Sequence, residues 1–176
     1  LDHDDNAATT VAALSLTYPN TYPKASIRRN TGKEVVVRVF IAGIMQGSRR
    51  GGGIDAQDYR REVAQIVRRH VPGVEVLDPF ALHPDSATYS PERAKRTLLE
   101  LTTLAGQVDV LIAYVPSATM GTAIEMWSAH QNGVRVYTIS PLAGNWVVHS
   151  LSERVFPDVA AFAAFVADGK LSNPKA

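Results

Sequence analysis

The chain has 176 residues, 45% hydrophobic and 20% charged, and 18 Lys+Arg against 17 Asp+Glu leave a net charge of +1. That length builds one domain with a full core, and a charge so near zero argues against bulk binding to polymeric nucleic acid or an acidic membrane, though not against a small anion site. The absence of cysteine excludes disulfides, thiolate catalysis and Cys-based zinc sites; no apolar run reaches the length of a membrane span, and the acidic start lacks the basic region of a signal peptide, so a soluble cytoplasmic protein is expected.

Residues 1–34 are rich in Asn, Thr, Pro, Asp and Ser and read as an N-terminal arm, either flexible or packed on a neighbouring subunit. Residues 35–176 form the domain. Residues 35–44 (VVVRVFIAGI) are nearly continuous in β-branched and apolar side chains, the pattern of a strand covered on both faces. A Gly/Arg loop follows at 46–55. Tyr59, Val63, Ile66 and Val67 fall at helical spacing, and Pro72-Gly73 ends that helix. Residues 74–77 make a short second strand, and 78–89 a loop with two prolines. Ser90-Pro91 opens a helix, with Ser as cap and Pro in the first turn, and Leu98, Leu101, Leu104 and Ala105 are its expected buried stripe. Residues 109–115 are a third strand, 121–131 a helix stopped by Asn132-Gly133, and 134–139 a fourth strand. Helices are expected over 146–155 and 157–167, the last stopped by Gly169.

Buried strands alternating with amphipathic helices define an α/β fold, a parallel sheet flanked by helices in a Rossmann-like or flavodoxin-like three-layer sandwich. Such sheets bind ligands beyond the carboxyl ends of their strands. Three loops there carry chemistry. Gly47-Ser48-Arg49-Arg50-Gly51-Gly52-Gly53 has the glycines that let backbone N–H groups face an anion, and arginines that hydrogen-bond it in pairs. It lacks both the Walker A lysine and the GxGxxG spacing. On composition it reads equally as a phosphate cradle or a surface loop. Residues 116–125 lead from the third strand into a helix. There Glu125, flanked by Ile124, Met126 and Trp127, reads either as a half-dry carboxylate kept ionised by the helix N-terminus or as an ordinary surface glutamate. Asn145 beside Trp146 either reaches into a pocket or caps the next helix. The five histidines (His3, His70, His83, His130, His149) show no metal-ligand spacing, and no serine lies in a nucleophile elbow.

Residues 39–148 resemble the nucleoside 2-deoxyribosyltransferase family. The resemblance rests on Phe40-Ile41-Ala42-Gly43 in the first strand, Asp109 at the start of the third, and Met120-Gly121-Thr122-Ala123-Ile124-Glu125-Met126. It implies that Glu125 is the nucleophile. One branch of that superfamily hydrolyses nucleoside 5′-monophosphates, and its phosphate loop is similar to Gly47-Ser48-Arg49-Arg50-Gly51-Gly52 followed by Tyr59 and Arg61. Family members lend a neighbour an Asn or Ser across a dimer interface, a role that Asn145 matches. The chain departs from the transferases in carrying Thr119 where they have an Asp six residues before the nucleophile. Leu101 stands at the offset of a second Asp, with Glu100 one residue away, and Phe40 stands where Tyr is common. The Gly-Thr-x-x-Glu pattern also occurs in phosphoribohydrolases that release cytokinin bases.

The resemblance implies an N-glycosidase of nucleoside 5′-monophosphates that needs no metal or cofactor and acts as a homodimer or higher homo-oligomer. Ser48, Arg50 and the Gly47, Gly51 and Gly52 backbone would hold the phosphate, with Arg61 helping. Phe40, Gly43, Thr119 and Gly121 would border the substrate. Glu125 would attack C1′ through an oxocarbenium-like transition state, and Glu100 or Asp78 would protonate the base, with Trp146 or Tyr89 stacked on it. The alternatives are a nucleoside deoxyribosyltransferase, in which a second base accepts the sugar, and a nucleotide-binding sensor without turnover.

Overall fold

The computed structural model describes residues 36–46 and 53–171, so the arm at 1–34 and the glycines and arginines at 47–52 lie outside the described residues. The elements are β1 (Arg38–Gly43), α1 (Asp58–His70), β2 (Glu75–Leu77), α2 (Pro79–Leu82), a 3-10 turn (Ser86–Thr88), α3 (Pro91–Ala105), β3 (Val110–Tyr114), α4 (Met120–Gln131), β4 (Arg135–Ile139), α5 (Trp146–Leu151), β5 (Arg154–Phe156) and α6 (Val159–Ala167).

All five strands are parallel, in the order β2-β1-β3-β4-β5. The two-residue period of a strand divides β1 between two cores. Val39 and Ile41 join Val63 and Val67 of α1 and Phe162 and Val166 of α6 on one face. Phe40 and Ala42 join Leu101 and Ala105 of α3, Met126 and Ala129 of α4 and Val148 of α5 on the other. Burial on both faces explains the unbroken apolar run read from the sequence. Sheet and two helical layers make the α/β three-layer sandwich that the alternation of elements predicts. No described helix is long and apolar enough to cross a membrane.

Caps set the helix boundaries. The Ser90 hydroxyl accepts from the Arg93 amide at 3.3 Å, with Pro91 in the first turn of α3, and the Asp158 carboxylate accepts from Ala161 at 2.8 Å. Gly133 closes α4 at φ +72°, a left-handed turn open to glycine. At the amino edge of the sheet the Arg38 amide donates to the Asp109 carboxylate at 2.8 Å, so Asp109 joins β3 to β1 on the side away from the ligand-binding loops.

Two expectations are corrected. The helix expected over 146–155 stops at Leu151; Ser152 is extended, and Arg154–Phe156 forms β5 in register with Tyr137–Ile139. Phe156 is drawn into the core by Phe162 and Phe165, with ring centroids 5.4 and 5.1 Å away. On α3 the buried stripe is Thr97, Leu101 and Ala105, while Leu98 is exposed.

Candidate active site

The chain leaves β1 toward β2 on one side and returns to β3 on the other, so β1 and β3 flank the point where strand order reverses. Side chains beyond the carboxyl ends of such a pair face a crevice between diverging connections. Here the crevice is a cavity of about 270 Å³. Gly43, Met45 and Gln46 border it from the end of β1, and Thr97, Leu98 and Leu101 from α3. His83, Ser86 and Tyr89 border it from the β2–α3 connection, and Thr119, Gly121, Thr122 and Glu125 from the start of α4.

Glu125 sits in the second turn of α4, only 9% exposed. No hydrogen bond from a described residue reaches its carboxylate. Burial pushes its pKa up to about 8, and the Arg60 guanidinium pulls it in the opposite direction. The expectation that the helix N-terminus keeps this carboxylate ionised is therefore corrected: desolvation outweighs the nearby positive charge. Thr122, one turn earlier on the same helix face, has a buried hydroxyl without a hydrogen-bond partner among the described residues.

Arg60, a buried charge that shapes this end of the sheet, is the residue that the sequence reading missed. It lies on α1, 2% exposed. Nη1 donates to the Ile41 carbonyl at 2.8 Å and to the Asp78 carboxylate at 3.0 Å, Nη2 donates to the Gly43 carbonyl at 3.0 Å, and Nε donates to the Gln57 side chain at 2.6 Å. The guanidinium thus ties α1 and the start of α2 to the carboxyl end of β1. The signal was present: position 60 lies on the same stripe as Val63, Ala64 and Val67, and a charge on an apolar stripe has to find partners. Tyr59 next to it donates to the Ile44 carbonyl at 3.2 Å and stacks on Tyr114 with centroids 4.1 Å apart. Burial raises the Tyr59 phenol well above its ordinary range. A side chain at Gly43 would run into this ring, the tyrosine Cε2 and Cζ lying 2.9 Å from a Cβ built there.

The structure brings some of the expected residues together and separates others. Gly43, Thr119, Gly121 and Glu125 share the cavity. Gly47, Ser48, Arg50, Gly51 and Gly52 lie outside the described residues. Phe40 is fully buried in the core and does not border the cavity. Glu100 is exposed on α3, because Leu101 takes the inward position of that turn. Asp78 is turned toward Arg60 and accepts from the Phe80 amide at 3.0 Å, bordering a different hollow with Arg61. Arg61 points outward, 3.6 Å from the exposed Asp58. Asn145 caps α5 by accepting from Val147 and Val148 at 3.0 and 3.4 Å, and borders a separate hollow of about 110 Å³ with Thr119 and Met126. Trp146 is 87% exposed. Among the described residues no cluster of three or more His, Asp or Glu could hold a metal ion.

No protein-family model matches the chain, and no curated protein does. Solved structures do. A 2-deoxyribosyltransferase from the psychrotolerant bacterium Bacillus psychrosaccharolyticus superposes with a TM-score of 0.53 at 16% identity, over 72% of this chain and 90% of that one. A conserved protein from Enterococcus faecalis V583 superposes with a TM-score of 0.50 at 13% identity, over 76% of this chain and 99% of that one. At such identities the likeness is one of fold: the chain shares its α/β architecture with these two structures.

Proposed function

We propose that the protein is an N-glycosidase that cleaves the base–sugar bond of nucleoside 5′-monophosphates through a covalent glycosyl–Glu125 intermediate. The observation that carries this reading is one buried carboxylate in a cavity at the β1–β3 switch point, within a fold shared with a 2-deoxyribosyltransferase. A desolvated carboxylate, once ionised, is a strong nucleophile toward an anomeric carbon. Ser48, Arg50, Gly51 and Gly52, in the segment that joins β1 to α1, would hold the 5′-phosphate and so aim C1′ at Glu125. Water then releases the sugar phosphate and restores Glu125. The reaction needs no metal or cofactor.

The second reading is a nucleoside 2-deoxyribosyltransferase, favoured by the likeness to the Bacillus 2-deoxyribosyltransferase. The two differ in the acceptor and in the need for phosphate. Incubation with nucleotides and nucleosides, with and without a second free base, separates them by chromatography of the released base. Base release from monophosphates without an acceptor supports hydrolysis; base exchange on nucleosides overturns it. Arg50→Ala should raise KM for monophosphates and leave nucleosides little changed, since a lost charge-assisted contact is worth roughly 1.5–3 kcal/mol. A homodimer in which Asn145 approaches the partner's cavity belongs to the same reading. The exposed Met120, Ile124, Trp127, Trp146 and Val147 supply apolar surface for it. Light scattering across concentrations tests the assembly.

A further inference from the structure

Breaking a base–sugar bond needs a proton as well as a nucleophile, because a heterocyclic base departs poorly as an anion. The carboxylates first expected to supply it face elsewhere: Glu100 is exposed, Asp78 is bound to Arg60, and Leu101 fills the inward position on α3. Besides Glu125, the titratable side chains bordering the cavity among the described residues are His83 and Tyr89. Both are half-buried on the β2–α3 connection. His83 Nδ1 and the Tyr89 hydroxyl are 3.1 Å apart, and the two rings meet edge-on at 6.0 Å and 87°. The Arg93 guanidinium lies over the Tyr89 ring, 3.7 Å from its centroid. The backbone of His83 is held from both sides: its amide donates to the Pro79 carbonyl at 2.9 Å, and its carbonyl accepts from Ser86 at 3.1 Å. A histidine in an aperiodic connection is thus given a fixed backbone and a fixed ring partner. Among the described residues its Nε2 has no hydrogen-bond partner.

We propose that His83, oriented by Tyr89, is the acid that protonates the departing base, and the base that activates water in the second half-reaction. This rests on the N-glycosidase reading above. In the imidazolium form, Nδ1–H donates to the Tyr89 hydroxyl and Nε2–H is left for the substrate. As the C1′–N bond breaks, its electron pair goes to the base, a base nitrogen takes the Nε2 proton, and a Glu125 oxygen bonds to C1′. Water then attacks C1′ and gives its proton to Nε2. The C1′–O bond to Glu125 breaks, with its electron pair returning to the carboxylate. The sum is nucleotide plus water to free base plus sugar phosphate, with both side chains restored. Imidazole suits both halves because one ring nitrogen can give a proton and take it back while the other stays bonded to the Tyr89 hydroxyl.

The test compares two leaving groups. The first substrate is whichever of the common ribo- and deoxyribonucleoside 5′-monophosphates the wild-type chain cleaves fastest. The second is the matching 4-nitrophenyl glycoside 5-phosphate, whose nitrophenolate departs without a proton. His83→Gln should lower turnover of the nucleotide by roughly a hundredfold to ten-thousandfold, and formation of the glycosyl-enzyme from the nitrophenyl substrate by less than about fivefold in a rapid-mixing burst. Tyr89→Phe keeps the ring under Arg93 and removes only the hydroxyl; it should show the same inequality at smaller size. Circular dichroism establishes that each variant folds. Equal losses on the two substrates in folded His83→Gln, or no loss on the nucleotide, overturn the assignment. If His83→Gln does not fold, the same two outcomes in Tyr89→Phe overturn it. If the wild-type chain cleaves neither substrate, the N-glycosidase reading itself falls, a result distinct from an active enzyme indifferent to His83.

Discussion

Two buried ionisable side chains lie on opposite sides of the carboxyl end of β1, and their surroundings differ sharply. Arg60 donates to two backbone carbonyls, one carboxylate and one side-chain amide, so its charge is matched by acceptors. Glu125 is almost as deeply buried and receives no hydrogen bond from a described residue. A charge that is buried and fully bonded acts as a structural tie. A carboxyl group that is buried and left unbonded is costly to ionise, so its burial makes sense where a substrate is to meet it. The fold thus places a fully bonded charge and an unbonded carboxyl a short way apart, with Gly43 near both: its carbonyl accepts from Arg60 and the residue borders the cavity.

The comparison breaks most sharply at Glu125. Glu125→Gln should lower turnover by roughly a thousandfold or more while keeping substrate binding, measured by single-turnover kinetics and calorimetry. The same change should alter stability with a definite sign. The folded chain keeps the Glu125 proton up to a pH of about 8, whereas the unfolded carboxyl releases it near 4.5. Wild-type stability from this group is therefore full below 4.5 and is lost as pH rises through 8, and Glu125→Gln removes that loss. Denaturant melts at pH 6 and 9 check it: the gap between the two pH values should shrink in the variant. In the wild-type chain, kcat/KM for the nitrophenyl substrate, which needs an ionised Glu125 but no proton from His83, should rise with pH toward about 8, since it reports the free enzyme.

Arg60→Met comes next. Removing one partner of a buried, bonded pair costs about 3–5 kcal/mol, seen as a lower denaturant midpoint. Loss of the positive charge should also move the pH midpoint of activity upward, because Arg60 now lowers the Glu125 pKa. Gly43→Ala should cost about 1–3 kcal/mol by pushing the Tyr59 ring off its stack with Tyr114; near-ultraviolet dichroism would report the displaced tyrosines. Smallest is Thr122→Val, which swaps a buried hydroxyl with no partner among the described residues for a methyl of similar shape and should be neutral or raise stability by up to about 1 kcal/mol. A loss there would show that the hydroxyl has a partner in solution.

The sheet was legible because four of its strands are apolar or β-branched runs bounded by turn residues, and their burial depends on composition alone. β5 was not, because three residues with an arginine at one end carry no period. Its position is decided by Phe156 meeting Phe162 and Phe165. Glu125 stood out through its motif and apolar neighbours, but its protonation did not, since desolvation depends on how tightly α3 and the β2–α3 connection close over it. Arg60 hid in plain view beside Tyr59, where helical spacing counts apolar positions and passes over a charge among them. His83 and Tyr89 are brought together by a capped one-turn helix and a 3-10 turn, structures too short for periodicity to reveal.

The described sheet ends on both sides in strands of three residues, β2 and β5, each with an exposed charged residue at its start: Glu75 on one, Arg154 on the other. The Arg154 guanidinium also lies over the rings of Phe156 and Phe165, 5.3 and 5.2 Å from their centroids. So brief a margin offers a foreign chain few rungs to pair with, and a cation guards the aromatic pair nearest to it. Crowded or partly denatured samples should therefore resist strand-to-strand clumping, and Arg154 is the residue whose loss would first expose that weakness.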